Sequence, residues 1–439
     1  MRRSPVLSGL LLAAAVAQAG AQEPLRLDVA GAIHRARQAH PALIDARERS
    51  AATRARAGGS RAAYLPQVAV DWGVVRTDDP VAVFGTKLRQ GVFAAPDLAL
   101  DALNLPAPIT NTSLGLTVEQ PLIAPAAWLG RRAALAGADA ASLFEDRAGQ
   151  QVAYDAIRAY FGAQLAAARV AVMDSQLVAA RRMLDQVRAL RREGVVTAVD
   201  EHLALARLSE LEAGRANVAA ERLAATDRLL ALLGQEPGSP VELVEPLAPP
   251  ADPAVTAASA DRLDVAGLEA ALRAFDANVD RVRAQWLPSV GAFGNLAWNQ
   301  TNLGALAGPR RWTAGVMVRW NVFRGLADVA DLDHARAERL AAADRLAAAR
   351  RDAAAEVRAA EARVDAAGTA VAAAGRALEH AAAAVRVAEA RYAGGVATIT
   401  ELLAVRASEA AQRLNRLEAL YQTRLARAAL TLALGGTPE

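Results

Sequence analysis

The sequence has no cysteine and only one lysine, Lys87. Without cysteine the chain can form no disulfide framework, no thiolate metal site and no lipid-modified cysteine at a mature N-terminus. Aromatic residues make up 4% of the chain although 53% of it is hydrophobic, because alanine is abundant. The net charge is +3, but arginine alternates with acidic residues, which is typical of solvated helical faces. We therefore expect no nucleic-acid binding.

Patterns that carry enzymatic chemistry are also missing from the sequence. There is no glycine-rich phosphate-binding loop and no nucleophile elbow. No two histidines have the spacing of a metal site with an acidic partner. We therefore expect neither catalysis nor a cofactor or metal. The histidines are scattered along the chain, at His34, His40, His202, His334 and His380.

The first 21 residues have the pattern of a secretory signal peptide. Two arginines follow Met1, an apolar run extends from Val6 to Val16, and small residues end the segment. The apolar run is too short to span a bilayer. We expect export and cleavage after Ala21, with Ala19 as the alternative.

Proline is absent from two long stretches, residues 126–236 and 325–434, and a glycine-containing break interrupts each of them once. Each stretch predicts a hairpin of two helices, at 126–234 and 326–434. The first arm of the first hairpin would have about 65 residues and be roughly 100 Å long, at a rise of about 1.5 Å per residue. A compact domain does not require so long a helix.

The two breaks repeat one pattern, since Gly395 lies 201 positions after Gly194. In each break a glycine is placed to end one helix in the left-handed conformation. A threonine and an acidic residue three positions later then have the spacing of a capping box for the next helix. Such a repeat indicates an internal duplication. The matched pairs are Gly194 and Gly395, Thr197 and Thr398, Asp200 and Glu401, and Gly234 and Gly435.

Four segments alternate between apolar and polar residues and predict β-strands of about ten residues, the length with which a tilted strand crosses a bilayer. A membrane barrel and a soluble sandwich both fit this alternation. We expect residues 77–110 to form a loop and Pro121 to end the second strand. The predicted strands are about 64–76, 111–121, 286–299 and 312–323.

The chain thus divides into a signal peptide (1–21), a first repeat (22–236), a proline-rich linker (237–260) and a second repeat (261–439). Four strands cannot enclose a channel. A sheet in lipid cannot leave its edges open, because unpaired backbone groups find no water there. If the strands cross a membrane, the protein must therefore form oligomers in which each subunit contributes four strands.

This organisation resembles the TolC family of outer-membrane efflux proteins over essentially the whole mature chain. The order and spacing of several motifs carry the resemblance. They are Leu65-Pro66 and Leu287-Pro288 before the first strand of each repeat, the loop segment 79–88, and Arg391-Tyr392 with Gly395, Thr398, Glu401 and Leu402-Leu403 at the second break.

The resemblance implies a mostly α-helical, internally duplicated fold with membrane β-structure. Homotrimers would form a long α-helical barrel continued by a twelve-stranded transmembrane β-barrel. It also implies a passive exit duct of a tripartite efflux or type I secretion system, located in the outer membrane of a Gram-negative cell and extending into the periplasm. The implied partners are outer-membrane lipid, a periplasmic adaptor protein and an inner-membrane pump of the RND, ABC or MFS type.

By the same resemblance, Glu401 and Asp200 line the periplasmic aperture, where Glu401 would attract cations. Capping of the next helix by Thr398 and Glu401 is a structural alternative compatible with this role. Ala404 stands where the family has a second acidic residue, and Ala397 where it has a basic one, so the latch of this aperture differs from the family pattern.

Further residues at the two breaks are candidates for the helix-tip turns and for docking of the adaptor. Mutual packing of the two tips is an alternative role for the apolar residues among them. Arg191 and Arg192 could instead donate to carbonyl groups at the helix end. The candidates are Arg191, Arg192, Gly194, Val195, Val196, Thr197, Gly394, Gly395, Val396, Thr398 and Ile399.

An exported coiled-coil structural or adhesive protein is the alternative to the duct, and an enzyme is a third possibility. A coiled coil explains the long helices, but it leaves the four alternating strands without a role.

Overall fold

The computed structural model describes residues 24–249, 262–302 and 309–439. The predicted signal peptide and residues 250–260 of the predicted linker lie outside these ranges. The chain divides into two compact units. The helical unit takes its described residues from Met1–Asp45, Arg147–Arg262 and Ala353–Glu439, and the sheet unit takes its described residues from Ala46–Asp146 and Leu263–Asp352.

Helices account for most of the described chain. The helices are α1 (Val29–Ala39), α2 (Pro41–Gly59), α3 (Pro80–Gln90), α4 (Leu100–Asn104), α5 (Pro125–Arg192), α6 (Ala198–Leu232), α7 (Leu263–Arg283), α8 (Ala327–Ala393) and α9 (Ile399–Ala433). The strands are β1 (Leu25–Leu27), β2 (Gln67–Thr77), β3 (Ile109–Ile123), β4 (Val241–Leu243), β5 (Ser289–Gln300) and β6 (Arg310–Arg319). Within the described ranges, no helix is long and apolar enough to cross a membrane.

The sheet unit contains a four-stranded antiparallel sheet with the strand order β2-β3-β5-β6. The register places residues of like character side by side, because side chains alternate between the two faces of a strand. One row across all four strands consists of Val70, Leu116, Leu296 and Trp312. One face of the sheet is therefore apolar along its whole width.

The apolar face of the sheet is open to solvent in the single chain. Trp312 is 77% exposed and Val316 is 65% exposed. A soluble sandwich would bury such a face against a second sheet. The part of the chain that the structure describes contains no second sheet of comparable size. The described residues therefore do not form a soluble sandwich.

The opposite face of the sheet is polar and hydrogen-bonded between strands. Asn295 Nδ2 donates to Thr117 Oγ1 at 2.9 Å. Asn111 Nδ2 donates to Asn299 Oδ1 at 2.9 Å. These bonds satisfy amide groups that would be costly to leave unpaired in a partly buried position.

Each outer strand of this sheet has one neighbour. Among the described residues, β2 pairs only with β3 and β6 pairs only with β5. Two rows of backbone N–H and C=O groups are therefore left without a strand partner. Exposed edges of this kind are places where a further strand can add.

The prediction of a loop over residues 77–110 was wrong, because this segment contains the helices α3 and α4. Asp79 Oδ1 accepts a hydrogen bond from the Ala82 N–H at 2.8 Å and caps α3. Pro80 occupies the first turn, and Gly91 ends the helix with φ +71°. Each of these residues favours a helix end at its position. The helix is so short that its apolar period was hidden among the surrounding turn residues.

The prediction that Pro121 ends the second strand was also wrong. Strand β3 continues to Ile123, with a shift of register between Pro121 and Ile123. Pro121 is paired with Gly291 and Ile123 with Val290, so the bulge leaves Leu122 without a partner. Proline lacks the N–H that a regular ladder requires and is therefore found next to such irregularities.

The core of the helical unit surrounds Tyr160 on α5. Its hydroxyl donates to the Leu27 carbonyl at 3.0 Å and accepts from the Glu245 N–H at 3.0 Å. The tyrosine thereby joins α5 to the segments around β1 and β4, which pair in parallel. Strand β4 lies within the predicted linker, and the sequence indicated neither this strand nor its partner.

Candidate functional site

The first helix tip is the turn between α5 and α6. Gly194 has the left-handed conformation, with φ +76°. The Gly194 N–H donates to the Arg191 carbonyl at 3.0 Å, and the Val195 N–H donates to the Leu190 carbonyl at 2.9 Å. These two bonds satisfy carbonyls that the end of α5 would otherwise leave open, as in a Schellman motif.

The second helix tip, between α8 and α9, repeats this turn. Gly395 has φ +72°, and its N–H donates to the Tyr392 carbonyl at 3.0 Å. The Val396 N–H donates to the Arg391 carbonyl at 2.9 Å. Gly394, the adjacent candidate, does not have a positive φ. The left-handed position of the turn is therefore held by Gly395.

The two tips use different oxygens to cap the helix that follows. At the first tip the Asp200 carboxylate accepts from the Thr197 N–H and from the Thr197 hydroxyl, each at 2.8 Å. At the second tip the Thr398 hydroxyl accepts from the Glu401 N–H at 3.2 Å. The carboxylate of Glu401 is consequently not used in its own cap.

Each tip also carries an ion pair between residues ten positions apart. Arg391 Nη1 lies 2.9 Å from Glu401 Oε1 at the second tip. At the first tip the pair is formed by Arg191 and Glu201. Arg188 Nε, one helical turn before Arg191, lies 3.0 Å from the other oxygen of Glu201. Of the two carboxylates predicted for the aperture, Glu401 is thus paired with arginine and Asp200 serves the cap.

Glu201 was not predicted as a site residue, and it is the more strongly bound of the two glutamates. Hydrogen bonds from Arg191 and then Arg188 lower the pKa of its carboxyl group. A signal was present in the sequence, because two arginines three positions apart lie one and two turns before the break. Only the folded turn shows that both of them reach the same acidic residue.

The two tips pack against each other through a buried apolar cluster. Ile399 is buried in this cluster, and Val196 packs against it. In contrast, Val195 is 57% exposed and Val396 is 70% exposed. The predicted docking residues therefore separate into a packed pair and an exposed pair. The buried members of the cluster are Met183, Leu184, Val187, Ala204, Ala388, Tyr392, Ile399 and Leu402.

Tyr392 is buried between the tips, and its hydroxyl has no hydrogen-bond partner in the described part of the protein. Burial, and secondarily the negative charge of Asp200, raise the pKa of this hydroxyl. The group is therefore a neutral phenol held close to a carboxylate of the other hairpin. A buried polar group without a partner is unfavourable.

The remaining candidates lie at the surface of the tips. Arg192 Nε donates weakly to the Arg188 carbonyl at 3.4 Å, so it contacts a carbonyl of its own helix. Ala404 is exposed, whereas Ala397 is partly buried and packs against the apolar cluster. In the described ranges, no group of three or more histidine or acidic side chains could hold a metal ion.

Comparison with known protein families identifies the family of this duplicated chain. The family model described as outer membrane efflux protein matches residues 32–235 and 254–436, which is most of the chain. The chain belongs to the outer membrane efflux protein family. The resemblance to the TolC family seen in the sequence is thereby confirmed, and the interpretation as a coiled-coil structural protein is set aside.

Solved structures show the same fold as this family member. The outer membrane protein VceC from Vibrio cholerae has a TM-score of 0.79 at 18% identity, over 94% of this chain and 97% of that one. A membrane protein from Pseudomonas aeruginosa has a TM-score of 0.78 at 22% identity, over 93% and 90%. The MtrE outer membrane channel of Neisseria gonorrhoeae has a TM-score of 0.75 at 21% identity, over 94% and 89%. Comparison with curated proteins gives no match.

Proposed function

We propose that this outer membrane efflux protein is one of three identical subunits of an exit duct, a passive channel through the outer membrane. The observation that carries the proposal is the sheet with an exposed apolar face and two unpaired edges. A face of valine and tryptophan is stable against lipid, whereas unpaired backbone groups are not. Copies of the chain that pair β6 of one with β2 of the next would remove every edge.

Three copies are supported by the resemblance, and they give twelve strands because each copy has four. The polar face, with its asparagine and threonine side chains, would then line the interior of the barrel. Water-filled barrels have this arrangement of a wet lumen and an apolar outer band. The long helices of the copies would extend into the periplasm and continue the duct there.

The helix tips are the proposed periplasmic mouth. Glu401 would contribute negative charge at the aperture, because its carboxylate remains 42% exposed although it is paired with Arg391. Asp200 would hold the first tip in shape through its cap. The exposed side chains Val195 and Val396 are the proposed contacts for a periplasmic adaptor, which would in turn connect the duct to an inner-membrane pump. Val196 and Ile399, which pack in the apolar cluster between the tips, would hold the turns that carry Val195 and Val396.

The duct would need no catalytic residue, cofactor or metal, because transport would be driven by the pump. The N-terminal signal pattern supports export to the outer membrane. Drugs, metal ions and secreted polypeptides remain alternative cargoes.

Membrane extraction tests the proposal directly. The full chain should be found in the outer-membrane fraction and run as a trimer on gels without heating, and as a monomer after heating. A cysteine introduced on the apolar face as Val316→Cys should resist a water-soluble maleimide in intact membranes. A matched cysteine on the polar face, Thr313→Cys, should react with it. A monomer in detergent with both positions equally reactive would contradict the duct.

A further inference from the structure

The short helix α3 is attached to the polar face of the sheet. Gln90, at its last turn, is buried, and its Nε2 donates to the Thr110 carbonyl at 2.9 Å and to Asn111 Oδ1 at 3.0 Å. Asn111 belongs to the row of polar side chains, since its own amide donates to Asn299 across the sheet. The C-terminal end of α3 is therefore bound to the side of the sheet that is polar.

Two further bonds extend this attachment across the sheet. The Thr301 hydroxyl, just after β5, donates to Gln90 Oε1 at 2.9 Å. Arg311 Nη2 on β6 donates to the Leu88 carbonyl at 3.1 Å. Arg311 is on the polar face, because it is two positions before Thr313, which is paired with Asn295, and next to Trp312 of the apolar face. Helix α3 is thus held by residues from β3, β6 and the end of β5.

The opposite side of α3 carries an apolar stripe. Val81 is 81% exposed, Phe84 is 37% exposed and Leu88 is 45% exposed. These residues follow the spacing of three and four that places side chains on one side of a helix. The buried residues of α3 are Val83, Thr86 and Gln90, and they lie on the other side. We call Val81, Phe84 and Leu88 the α3 stripe.

The orientation of α3 is fixed by contacts within the segment that connects β2 to β3. Lys87 Nζ lies 2.7 Å from Asp97 Oδ1 in the segment that follows the helix. The ring of Phe84 meets the ring of Phe93 edge-on, with 5.0 Å between their centroids. These contacts and the hydrogen bonds to the sheet keep the α3 stripe turned away from the polar face.

The size of the proposed barrel decides what the α3 stripe meets. This step depends on the proposed function, in which three copies form a twelve-stranded barrel with the polar face inside. Strands about 4.8 Å apart and tilted by about 40° then give a barrel radius of roughly 12 Å. A helix with its side chains is about 10–12 Å across. A helix lying on the inner wall therefore extends to the barrel axis.

We propose that α3 is an external seal, in which the stripes of three copies meet on the axis and close the barrel at the end where β2 joins β3. The occupant of each stripe is a second copy of the same helix, because the edges of the sheet require neighbouring copies and symmetry brings their helices together. Contact among Val81, Phe84 and Leu88 of the copies removes apolar surface from the water of the lumen. For cargo to pass, the hydrogen bonds of Gln90 and Arg311 that hold α3 on the inner wall of the barrel must then break.

Disulfide trapping tests the seal, and the chain is suited to it because it has no cysteine of its own. Phe84→Cys and Val81→Cys are prepared as separate variants, with Val316→Cys on the apolar face of the sheet as the matched control. Each is purified as a trimer, oxidised with copper phenanthroline and run on a non-reducing gel. A disulfide requires Cβ atoms about 3.5–4.5 Å apart, which only side chains meeting at the axis would satisfy.

We expect Phe84→Cys or Val81→Cys to form covalent dimers that reach a plateau at roughly two thirds of the chains, because a three-fold axis leaves one cysteine of three without a partner. Val316→Cys should remain unlinked. Intact trimers in which neither α3 cysteine links, while both react with a water-soluble maleimide, would overturn the seal and leave the duct standing. Failure to form trimers at all would instead overturn the duct.

Discussion

Arg391 and Glu401 close the turn of the second tip with an ion pair whose nitrogen and oxygen are 2.9 Å apart. The equivalent positions of the first tip are Leu190 and Asp200, which do not form this pair. There the bridge has moved by one residue, to Arg191 and Glu201. Both tips therefore keep an ion pair between residues ten positions apart. They differ in the role of the matched carboxylates, because Asp200 caps its helix whereas Glu401 forms the ion pair.

The ion pair between Arg391 and Glu401 should matter more for the ion selectivity of the channel than for the stability of the protein. Both side chains are nearly half exposed, at 49% and 42%, and such pairs contribute about 0–1 kcal/mol to the free energy of unfolding. We expect Glu401→Gln to change the unfolding free energy by less than about 1 kcal/mol. Its cation-over-anion permeability ratio should fall roughly twofold, because negative charge would be removed at the proposed constriction.

Single-channel recording in planar bilayers measures this ratio, together with block by multivalent cations. Glu210→Gln is the matched control, because Glu210 also pairs with an arginine, at 3.0 Å from Arg207, but lies on α6 away from the turn. Equal permeability ratios and equal block in the Glu401→Gln and wild-type channels would remove Glu401 from the aperture.

The bridge at the first tip predicts an acid-sensitive contribution to stability. Arg191 and Arg188 lower the pKa of Glu201 in the folded state. A lowered folded-state pKa means that the contribution is complete above the ordinary glutamate value of about 4.3 and is lost as pH falls through the folded value below it. Thermal midpoints of wild type and Glu201→Gln should therefore differ at pH 7, and the difference should shrink as the pH falls below about 4.3.

The chain with both Arg188→Gln and Arg191→Gln provides the control for this pH dependence. In that background, Glu201→Gln should have the same effect at every pH, because the cause of the lowered pKa is absent. A difference that persists unchanged at pH 3 in the otherwise unaltered chain would contradict the assignment.

The turns and the faces of the sheet could be predicted because they depend on local chemistry. Gly194 and Gly395 could be placed because a helix end favours glycine in the left-handed conformation. The alternation from Val68 to Val74 is a local period of two, and it indicated the apolar face before any partner strand was known.

Features that depend on distant segments could not be predicted in this way. Strands β1 and β4 have three residues each and pair Leu25 with Val241, so neither shows a period. The burial of Tyr392 arises only when the two hairpins pack together. Helix α3 was missed because its caps, Asp79 and Gly91, lie among other turn residues that indicate a loop.

The Tyr392 hydroxyl, which has no hydrogen-bond partner among the described residues, predicts a mutation that stabilises the protein. Removing a buried polar atom that has no partner removes its desolvation penalty, which is about 1–3 kcal/mol. We expect Tyr392→Phe to raise the free energy of unfolding by about 1 kcal/mol. The midpoint of heat-induced dissociation of the proposed trimer is a suitable measurement.

Tyr160→Phe is the matched control, because the Tyr160 hydroxyl makes two hydrogen bonds at 3.0 Å. Its loss leaves a carbonyl and an N–H without their partner and should lower stability by about 1–3 kcal/mol. The two substitutions delete the same atom and should act in opposite directions. If Tyr392→Phe is as destabilising as Tyr160→Phe, then Tyr392 has a partner, and water or a neighbouring copy supplies it.

The left-handed turn glycines predict a second pair of opposite effects. Gly395 has φ +72°, and no atom of the described ranges lies within 4 Å of an added Cβ, so conformational strain should dominate in Gly395→Ala. A left-handed conformation costs an alanine about 1–2 kcal/mol, and we expect stability to fall by that amount.

Gly368 provides the comparison, because it lies inside α8 with open space around its added Cβ. Alanine is a better helix former than glycine, so Gly368→Ala should raise stability by about 0.5–1 kcal/mol. Thermal unfolding of the two variants separates strain from volume, since both changes add one methyl group to an open site. A stabilising Gly395→Ala would show that the second tip does not need the left-handed residue, and the match between the two tips would then have no conformational basis.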